Sequence, residues 1–378
     1  MMDKHIDTLV IGGGIIGHSV SYYLSESGLS SLVVEKNTSG NRATKAAAGM
    51  LGVHTENKEA GPFHQFCENS RNLYKKLSTD LCAKTGMDIG FSQCGMLEIA
   101  TDPRHHDDLL AKRDLFPDLV YLSGHQLRER IPAVTKKASG ALFMKEDGHV
   151  EPAQACEAFK RGALAYGGGL LENNGVVSVE KSKGFFKVHL ENGPLTAEKV
   201  VVASGAESGR WFTGTGLSNP MVPTKGECFS IKPNRHFVNE TLFFRNFYLV
   251  PKLDGRLVIG ATTIPEDRST TTTAGGLSKL MNDVFSIFPD LQEEAFHGCW
   301  SGVRPGSVDG RPIIGEHPEM EGLYFATGHY RNGILLAPAT GQIIKDMIAG
   351  KTVPNELKEM FSPERFQREG GSRYEYSR

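Results

Sequence analysis

The first part of the chain places an amphipathic run between two apolar runs. Residues 8–11 are mostly apolar, residues 15–27 repeat apolar positions at helical spacing, and residues 31–34 are apolar again. A short apolar run bounded by turn residues is typical of a buried strand, and a period of 3.6 residues is typical of a helix. The pattern therefore predicts a strand, a helix and a second strand, which is how a parallel α/β sheet begins.

Three glycines follow the first predicted strand at the spacing G-x-G-x-x-G, namely Gly12, Gly14 and Gly17. The first allows a tight turn, the second lets the backbone approach a pyrophosphate, and the third lets the helix pack closely on the strand. Phosphates would lie at the helix N-terminus, where unpaired N–H groups favour anions. Glu35 ends the second strand, where an acid binds the ribose hydroxyls of an adenine dinucleotide. A glycine-rich turn with an unrelated surface glutamate is the alternative, and the joint pattern favours the dinucleotide site.

The later pattern predicts a second layer. Residues 63–81 have helical spacing, and residues 199–206 form an apolar run expected to return beside the first strand. From about Pro220, apolar and polar positions alternate in residues 223–231, 242–250 and 256–260, which favours an antiparallel sheet. Residues 329–338 are predicted as a loop that leads into a helix at 339–349. The predicted fold class is α/β (α+β), with a Rossmann-like domain beside a second, antiparallel-sheet domain.

Composition excludes several classes of protein. The chain has 378 residues, enough for two domains, and its formal net charge of −2 argues against nucleic-acid binding by phosphate neutralisation. No apolar run reaches the length of a membrane span, and the first predicted strand leaves no room for a signal peptide. Six widely spaced cysteines are typical of scattered thiols rather than a disulfide framework or a metal site. We therefore expect a cytoplasmic enzyme without a metal and without stable membrane insertion.

Further motifs, read with the glycine fingerprint, carry a resemblance to a known family. They occupy residues 46–52, 225–228, 260–262, 304–306 and 328–341. Over residues 7–350 the chain resembles the D-amino-acid oxidase superfamily of flavoproteins, and within it the glycine-oxidising enzymes of the thiazole branch of thiamine synthesis. The resemblance implies the D-amino-acid oxidase fold around non-covalent FAD. It also implies a discontinuous FAD-binding domain (1–85, 145–220 and 300–365) and a substrate-binding domain (86–144 and 221–299).

The resemblance also implies which residues contact the cofactor. Glu35 and Lys36 would bind the adenosine end, residues 48–50 would lie along the flavin, Val176 would contact the adenine side, and residues 329–335 would reach the pyrimidine edge. The implied set is Gly12, Gly14, Ile15, Ile16, Gly17, Glu35, Lys36, Ala43, Thr44, Ala48, Gly49, Met50, Val176, Gly205, His329, Tyr330, Arg331, Asn332, Gly333, Ile334 and Leu335.

The implied reaction is oxidation of a C–H bond next to an amine. A hydride would pass to flavin N5, the imine would hydrolyse to glyoxylate or a keto acid and ammonia, and O2 would reoxidise the flavin to give H2O2. The protein must aim the substrate, and a guanidinium grips a carboxylate bidentately. Arg304 is the expected clamp, Tyr248 would add a hydroxyl, and Arg331 would lie at the edge of flavin and substrate. Locally, an arginine before Pro-Gly is typical of a solvated turn and a strand tyrosine is typical of packing, so the resemblance carries these roles.

Two positions depart from the family pattern. Asn246 and Thr263 stand where such enzymes can carry a histidine and a methionine. Together with Met50, they are expected to line the substrate pocket. Their polarity leaves the preferred substrate open among glycine, sarcosine and small D-amino acids.

Other functions stay open at this point. They are a sarcosine or other N-methyl-amino-acid oxidase, a D-amino-acid dehydrogenase that uses an acceptor other than O2, and an FAD-binding scaffold without catalysis. Cys299 lies outside the motif that tethers FAD in sarcosine oxidases, so no covalent link is expected. The resemblance further suggests a homo-oligomer, a homotetramer, with thiazole synthase as a downstream partner.

Overall fold

The computed structural model of the protein describes residues 5–55, 57 and 59–367. The strands of this part of the chain are β1 (His5–Ile11), β2 (Ser31–Val34), β3 (Met50–Leu51), β4 (Met96–Ala100), β5 (Val120–Ser123), β6 (Gly140–Met144), β7 (Gly148–His149), β8 (Gly169–Leu171), β9 (Val176–Lys181), β10 (Phe186–Leu190), β11 (Gly193–Val202), β12 (Met221–Lys232), β13 (Thr241–Phe243), β14 (Tyr248–Pro251), β15 (Leu257–Gly260), β16 (Ile264–Pro265), β17 (Ala295–Ser307), β18 (Ile313–Glu316) and β19 (Leu323–Thr327).

The helices surround these strands. They are α1 (Ile15–Glu26), α2 (Ala43–Ala46), α3 (Pro62–Thr85), α4 (Pro103–Leu115), α5 (Gly124–Arg130), α6 (Pro152–Ala165), α7 (Gly209–Gly214), α8 (Ala274–Phe285), α9 (Gly333–Ile348) and α10 (Asn355–Phe361), with 3-10 turns at Gly205–Ser208, Pro289–Glu293 and Pro363–Phe366. None of the described helices is both long and apolar enough to cross a membrane.

The first sheet is built around the predicted β1–α1–β2 unit. Its order is β18-β19-β11-β1-β2-β8, and β9 and β10 extend it from β11. Strand β1 pairs in parallel with β2 and with β11, which confirms the predicted return of the 199–206 run. One face packs against α1, α3, α6 and α9 through residues such as Val10, Leu24, Phe159 and Leu336. This layered arrangement places the end of β1 and the start of α1 at the edge where a dinucleotide binds in such sheets.

The second sheet is mixed and mostly antiparallel. Its order is β16-β12-β15-β14-β13-β4-β6-β5, and β17 pairs along β12. One face buries Phe229, Leu249 and Ile259 against α8. The other face, which carries Tyr248 and Val258, packs in one hydrophobic cluster with Ala48 and Met50, which lie next to the first sheet. The two sheets confirm the predicted α/β (α+β) class. The predicted domain boundaries stay a prediction, and the boundary between residues 299 and 300 falls inside β17.

The structure refines the second sheet and corrects one predicted loop. The run 242–250, which its alternation places in a sheet, forms two strands, because the chain turns at 244–247 and Phe244 N–H donates to Phe247 O at 2.8 Å. Arg304, whose local sequence is typical of a turn, lies in β17, which pairs with β12. The loop predicted over 329–338 ends early, since α9 begins at Gly333 and contains Pro338.

Candidate active site

The glycine fingerprint has the conformation that a dinucleotide requires. Gly12 has φ +110°, and a Cβ there would lie 2.6 Å from Ala203 O. A Cβ at Gly17 would collide with Gly12 O, because α1 crosses β1 closely. At Gly14 the nearest atom to an added Cβ is Thr44 Oγ1 at 3.6 Å, so this side of the loop is open. Gly14 caps α1 without a side-chain hydrogen bond, which leaves the helix N-terminus suited to a pyrophosphate.

Polar groups beside this loop fit the ribose end of a dinucleotide. Glu35 accepts hydrogen bonds from the N–H of Gly13 at 2.7 Å and of Asn37 at 2.9 Å. Ser39 also lies beside Gly13, and its N–H donates to Glu172 Oε1 at 2.7 Å. These residues therefore fit FAD, with Glu35 at the ribose and the start of α1 at the phosphates.

The segment that follows α2 joins the cofactor loop to the second sheet. Thr44 is buried and its Oγ1 accepts the N–H of Ile15 at 3.1 Å, and Ala43 precedes it in α2. Gly49 has φ +90° and packs on Val150 O. Met50 pairs with His149 across β3 and β7. The backbone of residues 46–50 thus forms a tightly packed strip between the two layers.

Four further residues of the predicted FAD site, called the cradle below together with the glycine loop and residues 43–50, lie on other elements. Lys36 is exposed at the end of β2, and Ile16 is half-buried in the first turn of α1. Val176 begins β9, and its carbonyl accepts a hydrogen bond from Arg210. Gly205 has φ +57° and its carbonyl accepts the Thr327 hydroxyl at 3.2 Å. The carbonyls of Val176 and Gly205 are therefore already engaged within the protein.

The segment before α9 connects the cradle to the second sheet. His329 is buried and its Nε2 lies 3.0 Å from the Thr340 hydroxyl; burial lowers its pKa to about 3, so the ring is neutral. Tyr330, at φ +48°, donates its N–H to Pro305 O at 2.9 Å. Asn332 caps α9 without a side-chain hydrogen bond. Gly333, Ile334 and Leu335 form its first turn, whose N–H groups have no acceptor within the helix and favour an anionic or accepting group.

One row of residues crosses the second sheet. The registers align Trp300, Cys228, Gly260, Tyr248 and Phe243 on neighbouring strands from β17 to β13. Residues directly opposite one another in a sheet point to the same face. On β17 this face also carries Arg304, because it lies an even number of residues from Trp300. The sheet therefore assembles Arg304, Tyr248 and Cys228 on one surface.

Arg304 lies over a glycine on this surface. A Cβ on Gly226 would lie 2.6 Å from Arg304 Cζ, so the guanidinium rests where a side chain would otherwise be. Its Nη1 donates to Thr262 O at 3.2 Å and more weakly to Lys225 O at 3.5 Å. Among the residues that the structure describes, Arg304 has no carboxylate partner. The half-buried guanidinium therefore keeps donors for a carboxylate from outside the chain.

Tyr248 is buried, and its hydroxyl lies 3.6 Å from Cys228 Sγ. Burial raises the pKa of both groups, while the charges of Arg304 and Arg331 act in the opposite direction on each. Tyr248 therefore stays a neutral hydroxyl that can donate a hydrogen bond. Arg331 reaches over Phe243, with its Cζ 5.9 Å from the ring centroid.

Two predicted pocket residues lie outside the strands that form this surface. Asn246 lies on the β13–β14 turn and Thr263 follows β15, and both residues are exposed. Their place in the substrate pocket stays a prediction. Sequence reasoning also missed Cys228, Trp300 and the role of Gly226. The sequence of residues 225–228 held a signal for Gly226, because a glycine inside an alternating strand often marks a close approach of another group.

The comparisons with known proteins agree with this geometry. The family model described as DAO, FAD dependent oxidoreductase, matches residues 7–347. Glycine oxidase of Bacillus licheniformis is 40% identical over 364 residues, which are 96% of this chain and 98% of that protein. The crystal structure of glycine oxidase from Geobacillus kaustophilus has a TM-score of 0.90 at 32% identity and covers 99% of each chain. The bifunctional protein ThiO/ThiG of Synechocystis is 31% identical over 97% of this chain and 55% of that protein.

The fold and the cradle define a flavoprotein oxidoreductase. The chain belongs to the family of FAD-dependent oxidoreductases, and FAD is its cofactor. The predicted D-amino-acid oxidase fold and the predicted cofactor are confirmed.

Proposed function

We propose that the protein catalyses the FAD-dependent oxidative deamination of glycine and related small amines, including sarcosine and small D-amino acids. The observation that carries this proposal is Arg304, whose guanidinium has no carboxylate partner in the described part of the chain and lies on the same surface as Tyr248. The names of the similar proteins reported above support the choice of glycine.

The residues of this chain bind and orient the substrate. Arg304 would hold the substrate carboxylate with paired N–H donors, and the Tyr248 hydroxyl would donate a hydrogen bond to the same group. Arg331, whose charge acts on Tyr248 and Cys228, adds positive potential at this edge. FAD held by these residues would supply a two-electron oxidation of the C–H bond next to the amine, with O2 as the final oxidant and H2O2 as its product. Hydrolysis of the resulting imine would give glyoxylate or a keto acid, with ammonia from glycine and methylamine from sarcosine.

The site residues do not provide an obvious base. Tyr248 stays protonated because burial raises its pKa, and Arg304 is cationic. The chain therefore acts by position and electrostatics rather than by removing a proton from carbon. We expect the substrate amine to react in its neutral form.

Peroxide release is the direct test. The FAD-loaded wild type should release H2O2 with glycine, sarcosine, D-alanine and D-proline, led by glycine and sarcosine. In Arg304→Ala the loss of a charge-assisted pair should raise KM for glycine by roughly 10- to 100-fold. The exposed Arg268→Ala is the control, since its guanidinium bonds Ala206 O and Glu207 away from this surface.

Each alternative outcome has a separate meaning. Flavin bleaching without air and no peroxide in air would indicate a dehydrogenase with another acceptor. Unchanged KM in Arg304→Ala would remove the clamp from the proposal, and failure of all four substrates would remove glycine. FAD released on acid precipitation is expected, because we propose a non-covalent cofactor.

The wider context is also part of the proposal. The sequence likeness to a bifunctional ThiO/ThiG protein supports thiazole synthase as a downstream partner. The cytoplasmic location and the homotetramer stay predictions from the sequence.

A further inference from the structure

Two histidines and a glutamate meet beside the candidate active site. His54 lies in the segment after β3, and His64 and Glu68 are four residues apart at the start of α3, so they share one helix face. One ligand atom from each of the three lies within 4.8 Å of the other two. His64 Nδ1 and Glu68 Oε2 are 3.6 Å apart.

The histidine nitrogens are buried without partners. His54 is 2% exposed, and neither of its ring nitrogens has a hydrogen-bond partner; His64 is 7% exposed and its Nε2 has none. A neutral imidazole carries a donor and an acceptor, and leaving either buried and unpaired costs about 1–3 kcal/mol. His54 therefore has an unpaired ring nitrogen whichever of the two faces the cluster, whereas His64 faces Glu68 through Nδ1 rather than through its unpaired Nε2. The unpaired lone pair of His54 points to a ligand that accepts it.

Ring packing does not account for these nitrogens. Phe116 stacks on His64 with centroids 4.6 Å apart and meets His54 edge-on at 4.9 Å. Stacking covers the face of the His64 ring, whereas the lone pairs lie in the ring plane. The aromatic contacts thus hold the two imidazoles side by side and leave their nitrogens unsatisfied.

Charges of both signs surround the cluster. The negative charge of Asp118 and the positive charge of Arg71 act on both histidines, and Lys112 also acts on His54. Each of the two cations is paired with a buried carboxylate, Arg71 with Asp147 at 2.8 Å and Lys112 with Glu98 at 2.6 Å. Glu68 uses only its other oxygen, Oε1, at 3.9 Å from Arg71. Oε2 of Glu68 therefore remains available, and a further carboxylate is near.

We propose that His54, His64 and Glu68 bind a divalent transition-metal ion, with Zn²⁺ as the best match. Two imidazoles and a carboxylate suit Zn²⁺, whose ligand atoms stand about 3.3 Å apart in a tetrahedron with metal–ligand bonds of about 2.0–2.1 Å. His64 Nδ1 and Glu68 Oε2, at 3.6 Å, are already near this separation, and no two ligand atoms of the cluster are more than 4.8 Å apart. Water would occupy the fourth position. The ion would fasten the segment after Met50 to α3.

Metal analysis of the holoenzyme tests the site. FAD-loaded protein without a histidine tag is treated with chelator, dialysed against dilute Zn²⁺ and measured for bound metal. The wild type should hold about one Zn²⁺ per chain and gain thermal stability from it. His54→Ala and Glu68→Gln should weaken binding by at least about tenfold and lose that gain.

A matched control is present in the chain. His125 and Glu129 on α5 have the same four-residue spacing and lie 3.5 Å apart, but they are exposed and are not part of a three-ligand cluster among the described residues. His125→Ala should leave Zn²⁺ binding unchanged. Glu68 is partly exposed, so Glu68→Gln should keep its fold and FAD content even if His54→Ala does not. No bound Zn²⁺ in the wild type, or wild-type binding by Glu68→Gln, would overturn the proposal.

Discussion

At the scale of single residues, glycines shape the candidate active site as much as charged side chains do. Gly226 and Gly260 leave the space that Arg304 and Tyr248 occupy, since an added Cβ would lie 2.6 Å from the Cζ of each. Gly302 likewise leaves space for Ala46, because a Cβ at Gly302 would collide with the Cβ of Ala46. The absence of side chains at these three positions lets the functional groups lie flat on the sheet.

Gly226→Ala should therefore impair substrate binding without unfolding the protein. The group in the way is the end of the flexible Arg304 side chain, which can swing aside while the backbone stays in place. We expect KM for glycine to rise by roughly 10- to 100-fold, as in loss of a charge-assisted hydrogen bond. Steady-state peroxide assays, with FAD content as the check on folding, measure this.

Gly298→Ala is the matched control, because it lies on β17 and a Cβ there would have no atom within 4 Å. It should leave KM and FAD content unchanged. Wild-type KM in Gly226→Ala would show that the position of Arg304 over Gly226 has no bearing on substrate binding.

At the scale of elements, α9 contains a proline that its surroundings accommodate. Pro338 cannot donate to Ile334 O, and the Tyr74 hydroxyl on α3 donates to that carbonyl instead. The Ser70 hydroxyl donates to Leu335 O at 2.7 Å and accepts the N–H of Ala339 at 3.2 Å. Tyr74 thus replaces the hydrogen bond that Pro338 cannot make, and Ser70 ties the neighbouring backbone of α9 to α3.

Ser70→Ala should destabilise the protein through this junction. Leu335 O and Ala339 N–H would be left buried without this partner, which costs about 1–3 kcal/mol. Urea unfolding of the FAD-loaded protein should show a lower midpoint. Ser78→Ala on the same helix is the control, since its hydroxyl bonds only to Lys75 O, three residues earlier, at a partly exposed position. Equal midpoints for the two variants would contradict the proposed role of Ser70.

The elements also show where sequence reasoning succeeded and where it failed. The β1–α1–β2 unit was predictable because its periodicity and its glycines agree. The start of α9 was missed because Pro338 is a local helix breaker, and the Tyr74 hydroxyl that replaces its missing hydrogen bond comes from a helix far away in sequence. Strand β17 was missed because Pro305 and neighbouring glycines interrupt its alternation, so an arginine typical of a turn lies in a strand.

At the scale of the whole molecule, the candidate site exists only where the two layers meet. Trp300 Nε1 donates to Ala46 O at 3.1 Å, and Tyr330 N–H donates to Pro305 O at 2.9 Å. Sequence predicted which residues serve this site mainly through family resemblance. It could not predict the register that aligns Trp300, Cys228 and Tyr248, because strand pairing over long sequence separations depends on the packing of the whole sheet.

A buried lysine also joins the two layers. Lys252 follows β14, and its Nζ donates to Ala48 O at 2.7 Å and to Val150 O at 3.1 Å, with Glu151 at 3.6 Å. Burial lowers its pKa from 10.5 to about 8, and Glu151 opposes this shift. The folded protein therefore carries a desolvated ammonium at neutral pH.

This lysine should give the whole molecule a measurable dependence of stability on pH. Below about pH 8 the ammonium is charged in the folded and unfolded chains, so folding bears the full cost of burial. Between about 8 and 10.5 the folded chain releases the proton while the unfolded chain keeps it, so stability from this group rises with pH by roughly 3 kcal/mol. Lys252→Met removes the titrating group. As pH rises across this range, the urea midpoint of the wild type should therefore rise relative to that of Lys252→Met. The exposed Lys75→Met should follow the wild type.

Parallel pH curves for the wild type and Lys252→Met would contradict this prediction. They would mean that Lys252 keeps an ordinary pKa, because its contacts with the two carbonyls and Glu151 offset its burial.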